Sequence, residues 1–216
     1  MPSRYTAVLG SILRPRQAAG WLLPELKGAL ARTHVQVEGL QPLQATPGDR
    51  FQGVYAATGD ALNATLYLRL LLHDLVDVHV GLGVGALDEV RPRASPRDGD
   101  GPAWWNARDA REAAANRERR AGMPAGWRTA VYQDGRGHPT LESVVMLREH
   151  VLTRMDDRDV DLILSLLDGS TVTEAARAVG ISQQAASLRL RTKGGYALLR
   201  SWQQLKGITL HPPNPR

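Results

Sequence analysis

Cysteine is absent from this 216-residue chain, which excludes disulfides and thiolate metal sites. No apolar run approaches the ~18–20 residues of a membrane span. The longest, Leu66–Leu72, is broken by Arg69. The N-terminal stretch MPSRYTAVLGSIL lacks an h-region and a cleavage site, so it is not read as a signal peptide. These absences lead us to expect a cytoplasmic protein with no membrane partner. The single Phe beside abundant Ala, Arg, Gly and Leu points to a GC-rich genome and says little about function. The six histidines show no i, i+4 ligand spacing, and no P-loop or Gly-x-Ser-x-Gly occurs. Gly81-x-Gly83-x-Gly85 lies within a strand pattern with no helix opening directly after it, so it is not a dinucleotide fingerprint. No cofactor and no metal are expected.

What is present centres on Thr171–Leu190, TVTEAARAVGISQQAASLRL. It reads as helix, tight turn and second helix. Thr171 or Thr173 caps the first helix, and Ser182 caps the second, by accepting an otherwise orphan backbone N–H. Ala175, Ala176 and Val179 give the first helix an apolar face. Gly180 supplies the residue without a Cβ that a sharp turn needs. Ala185, Ala186, Leu188 and Leu190 are read as the inner face of the second helix, and Ser182, Gln183, Gln184, Ser187, Arg189 and Arg191 as its outer face. This is the pattern of a DNA-binding helix-turn-helix with 182–191 as recognition helix. A plain αα-hairpin is the alternative. Charge argues against it: residues 171–216 carry seven Lys/Arg and one acid, Glu174, a net +6 in a chain of +5 overall, so residues 1–170 sum to −1. Basicity confined to one region is an electrostatic footprint for phosphate.

The 43% hydrophobic content suffices for one large domain or two small ones. Tyr5–Leu13 reads as a buried strand. Gln17–Arg32 has an apolar stripe at helical spacing, from Trp21 to Leu30, interrupted by Pro24 and Gly28. His34–Leu43 alternates like a strand. Thr46-Pro-Gly-Asp49 is turn chemistry leading into a return strand, Phe51–Ala56. Thr58 or Asp60 caps a helix from about Ala61 to Leu72. In Val76–Leu87 the valines and Leu82 share one face, and Asp77, His79 and three glycines share the other. Asp88–Pro102 is a loop in which Arg91, Arg93 and Arg97 are diluted by acids. Ala103–Arg120 is a helix with a mostly solvated face and Trp104 as inward anchor. Arg128–Gln133 is a short strand. Leu141–Met155 reads as a connector helix with Leu141, Val144, Val145, Leu147 and Val151 apolar. Val160, Ile163, Leu164 and Leu167 stripe the next helix, and Tyr196–Leu205 forms a last one. His211–Arg216 is read as a disordered tail. The order of the first part is β-α-β-β-α-β, a ferredoxin-like plan.

AVLGSIL at 7–13, TPGDRFQGVY at 46–55, HVGLGVGA at 79–86 and DGPAWWNARDA at 100–110 resemble, in order, the motifs of the SatD family. Such proteins are bacterial, often carry a C-terminal helix-turn-helix, and look like a degenerate palm domain of class III nucleotide cyclases and GGDEF proteins. The resemblance implies a cytoplasmic bacterial protein with a cyclase-type N-terminal domain. Cyclase chemistry would need two carboxylates holding two divalent ions. Asp49 stands at the hairpin, but the first-strand position is Ser11, no acid precedes Glu25, and Arg50 replaces the Glu beside the hairpin Asp. No enzymatic activity is therefore expected. Gly10, Ser11, Arg14 and Asp49 remain as a metal-free ligand pocket, with a nucleotide as candidate effector.

The expected architecture is α+β: a ferredoxin-like, cyclase-type domain at 1–135, a connector helix at 139–155, and an all-α helix-turn-helix domain at 156–210. The expected function is sequence-specific binding of double-stranded DNA in transcription regulation, as a homodimer on a palindrome. Gln183, Gln184 and Ser187 are candidates for base contact. Arg189, Arg191 and Lys193 are candidates for phosphate, with Thr171, Thr173 and Ser182 at the helix N-termini. The alternatives are a nucleotide-binding or nucleotide-processing protein acting through the palm domain, and a helical protein-interaction module.

Overall fold

A glycine stripe decides how the two faces of the sheet are covered. Strand β4 (Asp77–Gly85) turns Val78, Val80, Leu82 and Val84 to one face, all buried. Gly81, Gly83 and Gly85 face the other way. A Cβ on Gly83 would lie 2.1 Å from the carbonyl oxygen of Ala103 and the amide nitrogen of Ala107. These two residues belong to helix α3 (Pro102–Arg117), whose backbone therefore rests directly on the strand. Ala103, Ala107, Ala110 and Ala114 keep that approach close.

The computed structural model describes residues 4–13, 22–47, 49–88, 99–117 and 120–210. The expectations for Arg14, Trp21, the Arg91–Arg97 cluster and residues 211–216 lie outside the described residues. The fold is mixed α/β, with a six-stranded sheet and eight helices among the described residues. The other strands are β1 (Tyr5–Leu13), β2 (Gln41–Thr46), β3 (Arg50–Tyr55), β5 (Thr129–Gln133) and β6 (Arg136–Gly137). The sheet order is β2-β3-β1-β4-β5-β6. All neighbours pair antiparallel except β4 and β5, which run parallel. Opposite α3, the sheet is covered by α1 (Leu22–Gln36), α2 (Thr58–Leu71) and α4 (Pro139–Leu152). Four helices follow: α5 (Asp157–Leu167), α6 (Val172–Ala178), α7 (Gln183–Thr192) and α8 (Gly195–Leu205).

Several boundaries differ from the sequence expectation. Helix α1 runs on to Gln36, and β2 starts only at Gln41. The stripe Leu22, Leu26, Ala29, Leu30, Thr33 continues the helical period, and Val35 is 87% exposed. Helix α2 starts at Thr58 behind Ala57, with no side-chain cap. Thr58 Oγ1 instead meets Thr6 Oγ1 on β1 at 2.9 Å, and Asp60 Oδ1 accepts from the Gly207 amide at 2.9 Å. Helix α4 is more than a connector. Leu141, Val145, Arg148, Glu149 and Leu152 are buried, while Leu147 is exposed. The Glu149 carboxylate accepts from the amides of Arg128 and Thr129 and from Thr129 Oγ1, and pairs with Arg69 of α2. Leu141 and Val145 belong to the same core as Val8, Phe51 and Leu82.

The helices α5–α8 close over α2. Leu66 and Leu70 pack with Leu162, Ile163, Ala186, Leu190 and Leu198 in one cluster. Asn63 Nδ2 donates to the Trp202 carbonyl at 2.9 Å, and Tyr67 Oη donates to Asp168. Arg32 of α1 pairs with the same Asp168 at 3.1 Å.

Gly83→Ala is expected to destabilise the protein by about 3 kcal/mol, because two rigid backbone atoms stand in the way of the new methyl group. Gly28→Ala, where a Cβ meets nothing within 4 Å, is expected to stabilise by about 0.5–1 kcal/mol through helix propensity. Urea midpoints of the two variants against wild type check both signs.

Candidate functional site

Helices α5, α6 and α7 are each started by a side chain. Asp156 caps α5, and Asp159 reaches back to the Asp156 amide. Thr171 caps α6 in the same reciprocal way with Glu174. Ser182 caps α7 by accepting from the Ala185 amide at 3.1 Å. These three polar residues satisfy N–H groups that helix ends otherwise leave orphaned. Gly180 sits at φ 71°, in the left-handed region, and the Ile181 amide returns to the Ala176 carbonyl. The chain reverses there from α6 into α7. Ala175, Ala176, Ala186 and Leu190 are buried at the crossing, and their small volume lets the two helices meet closely.

This packing fixes which side of α7 looks outward. Gln183, Gln184, Arg191 and Lys193 are exposed, and Ser187 is half-buried. Leu188, expected on the inner face, is instead 51% exposed. It shares an outward stripe with Gln184 and Arg191, at the i, i+4, i+7 spacing of one helical face. Arg189, expected on the outer face, is turned inward. Its Nε donates to Asp159 Oδ1 at 2.8 Å, and its Nη2 pairs with Asp156. Asp159 is buried. The inner stripe runs through Ala186 and Leu190, which leaves residue 189 beside the α5 N-terminus and residue 188 facing away from it. The hydrogen bonds from Arg189 hold the Asp156 carboxyl below the usual carboxylate range, and the same bonds raise the Arg189 guanidinium. Thr171 Oγ1 is engaged by Glu174 at 2.7 Å, whereas Thr173 is exposed.

The second set of expected site residues is only partly gathered. Ser11 pairs across the sheet with Arg50 on β3 and His79 on β4. Asp49 stands at the hairpin tip with φ 58°, and its carbonyl accepts from the Ile12 amide at 2.9 Å. That bond ties the hairpin to the end of β1. Of the three that are described, Gly10, Ser11 and Asp49, only Gly10 lines a cavity of about 560 Å³, together with Arg50, Gln52, Trp104, Arg108 and Arg111. The spacing of Trp104, Arg108 and Arg111, four and then three residues apart, is a helical stripe visible in the sequence. The dense charge of that helix masks it as a solvated face.

Among the described residues, no helix is long and apolar enough to cross a membrane. No protein-family model matches the chain, and no curated protein matches it as a relative.

Arg189→Gln is expected to lower the melting temperature by several degrees near neutral pH, since it strips hydrogen bonds worth about 1–3 kcal/mol from two carboxylates. A carboxyl held low in the folded state stabilises above its unfolded pKa, and the gain is lost as pH falls through the folded value. The gap between wild type and variant should therefore narrow as pH falls from about 6 through and below the ordinary Asp range, as the Asp156 carboxyl protonates. Thermal unfolding of both proteins across that range measures it.

Proposed function

We propose that residues 156–210 form a helix-turn-helix unit, and that the protein binds double-stranded DNA sequence-specifically as a bacterial, cytoplasmic transcription regulator. The observation that carries this reading is the division of labour on α7. Its outward stripe of Gln183, Gln184, Leu188 and Arg191 is accessible, while the one inward arginine, Arg189, is neutralised within the fold. In a major groove, Gln184 would bond an adenine edge bidentately, and Leu188 would meet a thymine methyl. Arg191 and Lys193 would lie on phosphates, with Arg177 exposed nearby in sequence on α6. One such unit reads only a few base pairs, so a homodimer on a palindrome completes the proposal.

The N-terminal part is proposed as a ferredoxin-like unit. The order β2-β3-β1-β4 with α1 and α2 on one face supports this, with β5 and β6 as an extension. The resemblance to the SatD family points the same way. With Ser11 and Arg50 adjacent where two metal-binding carboxylates would be needed, the proposed role of this part is non-catalytic.

The test is a titration against sheared genomic DNA at about 50 and about 200 mM salt, a range over which phosphate contacts weaken steeply. Wild type should bind with strong salt dependence. Arg191→Ala should reduce the salt slope by about one and weaken binding to all sequences alike, whereas Gln184→Ala should cost about 1–3 kcal/mol on the cognate site only. Binding that ignores both salt and these substitutions would overturn the reading in favour of a protein partner.

A further inference from the structure

Three arginines converge on the cavity beside the β2–β3 hairpin. Arg108 and Arg111 come from one face of α3, and Arg50 from the start of β3. Gly10, Gln52 and Trp104 line it with them. Among the described residues, none of the lining side chains is acidic. Arg108 donates to the Gly99 carbonyl at 2.9 Å, which anchors it at the rim. Arg111 is half-buried because the bare Gly81 brings its backbone onto β4. Burial, and then the charge of Arg50, press its guanidinium below the ordinary arginine value. Arg50 and Arg108 are exposed, and Arg108 has Asp100 near it, so Arg111 is the member partly removed from water. A second cation facing a half-buried one raises the free energy of the protein until an anion joins them.

We infer that this cavity is a binding site for a small multiply phosphorylated molecule, with Arg50, Arg108 and Arg111 as its phosphate ligands. Guanidinium forks match phosphate oxygens bidentately, and three of them suit a polyphosphate better than a single carboxylate. A volume of about 560 Å³ falls within the usual range for small-ligand sites and leaves room for an organic group beside the phosphates. The concave shape favours a small ligand over the backbone of a nucleic acid. The site is independent of the DNA-binding reading, since it uses other residues on another part of the chain.

The experiment is a thermal-shift titration of the full chain with sodium tripolyphosphate and, separately, ATP, at constant ionic strength. Saturable stabilisation of wild type is expected. In Arg50→Gln and Arg111→Gln the apparent Kd should rise about tenfold or more, the scale of one lost charge-assisted hydrogen-bonded contact. Arg136→Gln, exposed on β6, should behave as wild type. Arg50 is exposed, so without ligand Arg50→Gln should melt at or above the wild-type temperature, because a like-charge contact has been relieved. ATP binding more tightly than tripolyphosphate supports a site that also holds the organic group, and equal affinity supports recognition of the phosphates alone. A shift no larger than that of chloride at matched ionic strength, or one equal in all variants, overturns the proposal. So does a loss of DNA affinity in Arg50→Gln without any tripolyphosphate binding by wild type, which would assign the arginines to a nucleic-acid surface.

Discussion

Helix α2 has almost no side of its own to give to water, and much of the molecule follows from that. Eleven of its fourteen residues are buried. One flank packs on the sheet with Val8, Phe51 and Val80, and the other packs under α5, α7 and α8. A helix buried nearly all round must find packing partners for its apolar residues and hydrogen bonds for its polar ones on every side. The helices after residue 156 are therefore part of the same folding problem as the sheet. The buried polar side chains of α2, Thr58, Asn63 and Thr65, are all engaged, and Asn63 donates to the Trp202 carbonyl and accepts from Arg148 at 3.1 Å. A buried amide with both ends engaged fixes the register of the elements around it. Gly59 adds a steric condition, since a Cβ there would lie 1.6 Å from the Leu205 carbonyl oxygen.

This constraint also separates what the sequence makes legible from what it hides. The strands β1, β3 and β4 are visible as apolar or alternating runs because each buries most or all of at least one face. The caps Thr171 and Ser182 and the turn at Gly180 are visible because capping and positive φ are local chemistry. The end of α1 is not. Val35 and Val37 imitate a strand, and only the packing of Leu30 and Thr33 against the core carries the helix past them. The start of α2 misleads for a related reason: Thr58 and Asp60 have the oxygens of a cap, but tertiary partners on β1 and after α8 claim them. Leu188 and Arg189 exchange their expected places because a residue's hydropathy is a weaker instruction than the carboxylates waiting at the N-terminus of α5. For the pocket, sequence order offers Gly10, but only the folded chain brings Arg50 opposite α3.

The treatment of charge elsewhere in the fold sharpens the meaning of that pocket. Three arginines of the core region that are withdrawn from water are met by acids. Arg69 is set against Glu149 and Asp77, and Arg128 against Asp77. Arg117 pairs with Glu142, donates to the Thr129 carbonyl and lies 3.8 Å from the Trp127 ring centroid. Arg148, pushed down to about 10 by burial, still meets the Asn63 carbonyl oxygen. Uncompensated burial of a charge is costly, so a chain that sets acids against Arg69, Arg117 and Arg128 has a rule worth noting where it is set aside. Arg111 is half-buried, and its principal electrostatic neighbour is another arginine, Arg50, with Glu112 only a lesser counterweight. The two are carried by different elements, α3 and β3, so their approach is not forced by helical spacing. A fold that holds two cations together across a cavity, at a cost to its own stability, has a reason for doing so if the missing negative charge arrives from outside. The same logic run in reverse explains Arg189: its anions are internal, so it has little left to offer a phosphate.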